Sequence, residues 1–323
     1  MKAAVLRKLG SAPVYSDFAE PIPHGGEQVV MNVKAAALKN IDKLRASGFH
    51  YASYREVPVV VGTDGVGTLL DGTIVYAQGI TGMMAEKAVI ARSGYTVLPP
   101  TIDLTLAAAL PNAVFGSALA LRARAKMRPG DVVLVNGATG ATGQLAVQIA
   151  KYYGASKVVA TGRRPEALGM LKTLGADRCI SLESGDEAVT QELVETHRQT
   201  PFDVVLDFLW GHPMELILKA VRVEGINPSP RKVKIVSVGD IAGSTIMLDS
   251  GTLRGTDVEI LGSGLGTFSR HDLREFSMKI LPEMFDLAAK GRLKMETQAE
   301  SLRDIERIWN KEPDGKRIVV TIA

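Results

Sequence analysis

From residue 131 onward, short apolar runs alternate with longer segments of helical period. "DVVLVNG", "SKVVATG", "DRCISL", "FDVVLDFLW", "RKVKIVSVG" and "DVEILGSG" read as strands, and "TGQLAVQIAKYYG", "PEALGMLKTLG", "DEAVTQELVETHRQ" and "PMELILKAV" read as helices between them. Six strands alternating with helices predict an α/β, doubly wound parallel sheet. The first hundred or so residues have a different rhythm. Valine-rich runs such as "EQVVMNVKAAAL", "VPVVVGTDGVGTLL" and "GTIVYAQG", punctuated by Gly, Pro and Asp, predict a β-rich region. Residues 270–311 read as mostly helical, and "KRIVVTI" closes the chain as a strand. A lone strand has no partner where it stands, so this tail is expected to return to the β-rich region and make that domain discontinuous. The expected division is 1–108, 109–266 and 267–323, the outer two forming one domain. "LTLAAALPNAVFGSALAL", Leu104 to Leu121, is long enough to span a bilayer, but Pro111, Asn112 and Gly116 interrupt it. It is expected to form two buried helices separated by a break.

The glycines between the first strand and first helix of the alternating region carry the most chemistry. In "NGATGATG", Asn136 to Gly143, every third residue lacks a side chain, so backbone N–H groups are open to whatever approaches. The stretch is either a flexible turn or a phosphate cradle of Gly137, Thr139, Gly140, Ala141, Thr142 and Gly143. Its GxxGxxG spacing differs from the usual GxGxxG, but a strand precedes it and a helix and second strand follow, which is the context of a dinucleotide site. At the end of that second strand an NAD-binding chain would carry an acid for the adenosine ribose. Here "VVATGRRPEAL" has none, and Gly162 is followed by Arg163 and Arg164. Paired guanidinium groups suit the extra phosphate of NADPH. Ligands lie at the carboxyl ends of such strands, so Val238 and Gly239 are expected to meet the nicotinamide carboxamide, with Gly262 and Ser263 close by.

Composition narrows the classes. The 323 residues are 46% hydrophobic and 23% charged, as in folded proteins, and at roughly 150 residues per domain they suggest about two domains. A net charge of +3 without basic runs argues against a nucleic-acid surface. The single cysteine, Cys179, excludes an intrachain disulfide framework and fits a cytoplasmic compartment. "MKAAVLRKLG" has no long apolar core and is expected to be a first strand, not a signal peptide.

The stretch "MRPGDVVLVNGATGATGQLAVQIAKYYGASKVVATGRRPEALGMLKTLGAD", with the opening "MKAAVL", the central "LAAALPNAVFGSALAL" and the closing "SLRDIERIWNKEPDGKRIVVTI", resembles the medium-chain dehydrogenase/reductase superfamily and, within it, the zinc-free quinone oxidoreductases. The resemblance implies a GroES-like catalytic domain, split between the two ends of the chain, beside a Rossmann domain. Where zinc-dependent members place metal ligands, this chain has Lys39, Thr63 with Asp64, and a residue near Ala109. The five histidines, His24, His50, His197, His212 and His271, have no zinc-site spacing. No metal is therefore expected. Without a Lewis acid, the natural acceptors are quinones and α,β-unsaturated carbonyl compounds, whose reduced anions are delocalised and need only one or two hydrogen-bond donors. The resemblance implies that the loop "SGFHYASYREVP" lies beside the nicotinamide. Tyr51 is its first candidate donor, with Tyr54 and His50 as alternatives, and Asn40 and Lys39 lie near the former metal region. Two other functions stay open: an enoyl-thioester reductase, and a noncatalytic NADPH-binding sensor or structural protein. The strand "VEILGSG" could pair across a homodimer.

Overall fold

The structure, a computed structural model, describes residues 1–49, 52–223, 231–312 and 314–323. It divides into two compact units, Met1–Asn112 with Ser277–Ala323, and Ala113–Phe276.

The first unit is built on β1 (Lys2–Leu6), β2 (Val14–Asp17), β3 (Gln28–Ala37), β4 (Val59–Val60), β5 (Asp64–Thr68), β6 (Ile74–Gly79) and β7 (Lys87–Val97). β1 pairs with β2 and β4 in a small antiparallel sheet. β3 is long enough to serve two partners, pairing β7 along Gln28–Asn32 and β5 along Asn32–Ala35, with a register shift between Val33 and Ala35. β3, β5, β6 and β7 therefore close on one another, which leaves few free edges. Leu6, Met31, Val33, Val75, Ile90 and Val320 fill the core behind them. Helix α1 (Asn40–Ser47) follows β3 directly and ends at Gly48, whose φ of 87° suits only glycine.

The second unit holds β8 (Val132–Asn136), β9 (Lys157–Gly162), β10 (Arg178–Ser181), β11 (Val204–Asp207), β12 (Val233–Ser237) and β13 (Val258–Gly262), in the order β10-β9-β8-β11-β12-β13. All five pairings are parallel. The chain runs outward from β8 in one direction to β10, then crosses back to β11, so the strand order reverses at β8. In an open α/β sheet that reversal puts a crevice at the carboxyl end of β8, where ligands bind.

The chain then returns to the first unit as β14 (Thr297–Ser301) and β15 (Arg317–Thr321). β15 runs antiparallel to β3 with Val319 opposite Ala37, and parallel to β14. The discontinuous β-rich unit and the doubly wound sheet agree with the pattern of apolar positions. Two details differ. The segment from Leu104 does not break: α2 (Leu104–Val114) contains Pro111 and runs into turns widened to the π form over Phe115–Ala125. Most of this 22-residue helix is buried in protein. Nor was β14 expected, because "TQAES" is polar and lies at a sheet edge with only β15 beside it.

Candidate active site

β8 ends at Asn136 and the chain must turn at once into helix α3 (Ala141–Tyr152). Gly137 makes the turn with a φ of 85°. Gly143 is required by contact: a Cβ there would lie 2.5 Å from the Gly137 carbonyl oxygen and 2.6 Å from the Ala138 Cα. Gly140 differs. It is the N-cap of α3 with an ordinary extended backbone, no side chain caps the helix, and a Cβ placed on it would meet nothing within 4 Å. The protein's own packing does not demand glycine at 140, but a ligand lying against the first amides of α3 would. That open surface fits the pyrophosphate of a dinucleotide, which Gly140, Ala141 and Thr142 would hold at the positive end of the helix.

A buried polar network holds this turn. The Asn136 side-chain amide donates to Asp207 Oδ1 at 2.7 Å, the Thr161 hydroxyl donates to Asn136 Oδ1 at 2.6 Å, and the Gly137 N–H donates to the same hydroxyl at 3.1 Å. Three adjacent strands, β9, β8 and β11, are thus tied at their carboxyl ends. Burial raises the pKa of Asp207, opposed by the N–H of Leu209 and the Asn136 amide, both of which its carboxylate accepts. Sequence reasoning overlooked these three residues. Their signal was a polar side chain at or near the end of each of three otherwise apolar runs.

The other residues expected around the cofactor divide by what they do. Gly162 is buried, and any Cβ on it would run into Thr139 Cγ2. Thr139 gives its carbonyl oxygen to Gln144 Nε2 and Arg164 Nη2, each at 3.1 Å. Arg164 is therefore also a brace for the glycine turn, while Arg163 beside it is exposed. Val238 N–H and Gly239 N–H both donate to the Asp207 carbonyl oxygen, at 2.8 and 3.3 Å. A ligand would meet this turn through its carbonyl groups, not its amides. The Gly262 carbonyl accepts from Arg124 Nε at 2.7 Å, and Ser263 is 5% exposed with no partner for its hydroxyl among the described residues.

In the first unit, Lys39 caps α1 and is 3% exposed. Its ammonium contacts Asp64 Oδ1 and lies 3.8 Å from Asp42 Oδ2. Tyr76 donates its hydroxyl to Asp64 Oδ2 at 2.9 Å, and Thr63 donates to Asp42 Oδ1 at 2.6 Å. Burial alone would lower the Lys39 pKa, but Asp42 and Asp64 outweigh it and hold the ammonium above its ordinary value. Asn40, next along, is exposed. Tyr51 and His50 lie outside the described residues.

A family model described as zinc-binding dehydrogenase matches residues 141–282. The chain is 28% identical to a probable NADPH-dependent quinone reductase of Emericella nidulans, over 99% of both chains. It is 32% identical to the chloroplastic NADPH-dependent alkenal/one oxidoreductase of Arabidopsis thaliana, over 56% of this chain and 50% of that one. The structure superimposes on the quinone oxidoreductase of Thermus thermophilus, solved also with NADPH, with a TM-score of 0.77, 27% identity and full coverage of both chains. The chain is an oxidoreductase similar to members of the medium-chain dehydrogenase/reductase superfamily and, within it, to the quinone oxidoreductase-like branch.

The residues that the family model matches do not include Lys39, Thr63 and Asp64. Among the described residues, no group of three or more His, Cys, Asp and Glu side chains could hold a metal ion. Lys39, with the neighbouring Arg317, supplies the positive charge that Asp42 and Asp64 need, so removing it should be costly. We expect Lys39→Ala to lose about 3–5 kcal/mol of stability in urea unfolding, the cost of leaving a buried pair without one partner. A loss near zero would show that the acids can be accommodated without it. The raised Lys39 pKa stabilises the fold fully below the ordinary lysine value of about 10.4 and is lost as pH rises through the folded value. Wild-type stability should therefore fall in alkali, and part of that fall should vanish in the variant.

Proposed function

We propose that the chain is an NADPH-dependent reductase that delivers hydride to quinones or α,β-unsaturated carbonyl compounds without a metal. The observation that carries this reading is the end of β9, where Arg163 and Arg164 stand in place of a ribose-binding acid, together with the open N-terminus of α3 at Gly140. Relatives named as NADPH-dependent quinone and alkenal/one reductases support the same cofactor and acceptor class. When bound, the cofactor supplies the hydride, and the chain's own work is to orient it, exclude water and steady the developing enolate or hydroquinone anion.

Within this reading the glycine turn holds the pyrophosphate, Arg163 takes the adenosine 2′-phosphate, and Arg164 both assists and braces Thr139. Gly162 lets the turn pack close. The carbonyl groups of Val238 and Gly239 face the carboxamide, and Ser263 offers a hydroxyl that has no partner among the described residues. Tyr51 is the proposed donor to the reduced acceptor. Lys39, shut in between two acids, acts as a fixed positive charge and not as a proton source, and exposed Asn40 adds a polar edge. The metal-free part of the reading rests on that donor set. The Lys39 ammonium and the neighbouring Arg317 guanidinium already offset the carboxylates that a cation would need. The lone Cys179 is consistent with a cytoplasmic protein, and the open edge of β13 supports a homodimer.

The direct test is NADPH oxidation by the purified protein against a panel of quinones and enones, with NADH in parallel and a chelator control. Turnover with NADPH that ignores the chelator is expected; turnover that needs added zinc would contradict the metal-free reading. Arg163→Ala combined with Arg164→Ala should weaken NADPH by about tenfold or more, as expected from charge-assisted bonds of roughly 1.5–3 kcal/mol, and NADH much less. Equal losses for both cofactors would remove the phosphate role. Gly140→Ala should lower the melting temperature by only a few degrees, since replacing a favourable N-cap residue by alanine costs about 1 kcal/mol, while raising the dissociation constant for NADPH. A large fall in melting temperature would mean the glycine serves the fold instead.

A further inference from the structure

The chain leaves β11 through a strained turn. Trp210 has a φ of 54° and a ψ of −154°, a region that residues with a side chain rarely enter, and Gly211 follows with a φ of 54°. Such a backbone persists only where its surroundings impose it, and such positions cluster at functional sites. Here both sides of the turn impose it. The Asp207 carboxylate accepts the Leu209 N–H through Oδ1 at 3.0 Å, and it accepts the Trp210 N–H through Oδ2 at 3.1 Å and Oδ1 at 3.2 Å. Opposite, the Ala242 N–H donates to the Leu209 carbonyl oxygen at 2.8 Å, and Trp210 forms a parallel bridge with Gly243. The Trp210 side chain packs against the cluster that includes Leu134, Val205 and Ile235.

The turn also touches the pieces of the crevice around it. A Cβ on Gly137 would lie 2.7 Å from Leu209 Cγ, so the Leu209 side chain rests directly on the glycine turn. A Cβ on Gly239 would lie 2.8 Å from the Phe208 carbonyl oxygen. Phe208 and Leu209 therefore stand between the turn that follows β8 and the turn that follows β12, and their placement fixes the gap between the two. We propose that Asp207 is a positioning residue for the nicotinamide half of the cofactor: by holding Trp210 in its strained conformation, the carboxylate seats Phe208 and Leu209 between the two turns and sets the width of the crevice. The proposal rests on the NADPH reading of the glycine turn. It is a second role for Asp207, because the bond to the Asn136 amide uses Oδ1 alone. Asparagine at 207 separates the two roles. With its oxygen in the place of Oδ1 it still accepts from Asn136 and Leu209, but its NH₂ group takes the place of Oδ2 and sets a donor against the Trp210 N–H. Glycine at 210 adopts the same backbone without strain and so does not need the carboxylate.

The test measures dissociation constants of the full chain for NADPH and for adenosine 2′,5′-bisphosphate, which has the 2′-phosphate and one phosphate for the α3 N-terminus but no nicotinamide half. Asp207→Asn should weaken NADPH by about tenfold, the scale of one bond to a charged acceptor, and leave the bisphosphate little changed. Trp210→Gly should bind NADPH much as the wild type does, and adding Asp207→Asn to it should cost about threefold or less, a non-additivity that a purely structural role for Asp207 would not produce. Leu209→Ala keeps the carboxylate and the backbone of the turn. It should also weaken NADPH several-fold and spare the bisphosphate, and it carries the test if Asp207→Asn fails to fold. An equal loss from Asp207→Asn with tryptophan or glycine at 210 would place the effect in Asn136 and overturn the proposal. Equal losses for both ligands, or NADPH affinity untouched by Leu209→Ala, would overturn it as well. Wild-type protein that binds neither ligand would overturn the NADPH reading itself, and the proposal with it.

Discussion

The doubly wound unit depends on a hydrogen-bonded triad at the ends of three strands. Asn136, Thr161 and Asp207 are buried, and each spends its polar atoms on another member of the triad or on the backbone beside it. Without that network the Gly137 turn would have an unpartnered N–H and three parallel strands would end without a common anchor. With it, the turn is rigid before any ligand arrives, and the first amides of α3 are fixed in one direction. Preorganisation of this kind lowers the ordering cost of binding, because little has to be immobilised when an anion docks.

The β-rich unit solves a different problem with the same economy. A closed set of strands buries α1's cap, and with it Lys39, Asp42 and Asp64, where isolated charges would be intolerable. Lys39 and the neighbouring Arg317 balance the two carboxylates, which the Tyr76 and Thr63 hydroxyls also support. Lys39 is thus held as a fixed positive charge between the two acids.

Much of this was legible in the chain. Short apolar runs at regular intervals are what a parallel sheet buried on both faces requires, so the six strands and their helices could be read directly. The glycine turn was legible too, because a tight strand-to-helix turn restricts residue type locally. What could not be read joins residues far apart. Asn136 and Asp207 are 71 positions apart, Thr161 and Asn136 are 25 apart, and so are Lys39 and Asp64. Nothing local marks any of them as partners. The polar edge strand Thr297–Ser301 lacked an apolar rhythm, and the helix through Pro111 stays whole because packing around it outweighs the residue's local preference. At Val238 and Gly239 the strand end was legible, but not that both amides are bonded to the Asp207 carbonyl.

The central claim is that the α3 N-terminus and the end of β9 together form an NADPH site. A crystal structure of the protein with NADPH tests it most directly. The account predicts the pyrophosphate against Gly140 and the first amides of α3, with the 2′-phosphate at Arg163. A pyrophosphate bound elsewhere, or a 2′-phosphate pointing to solvent away from both arginines, would contradict it.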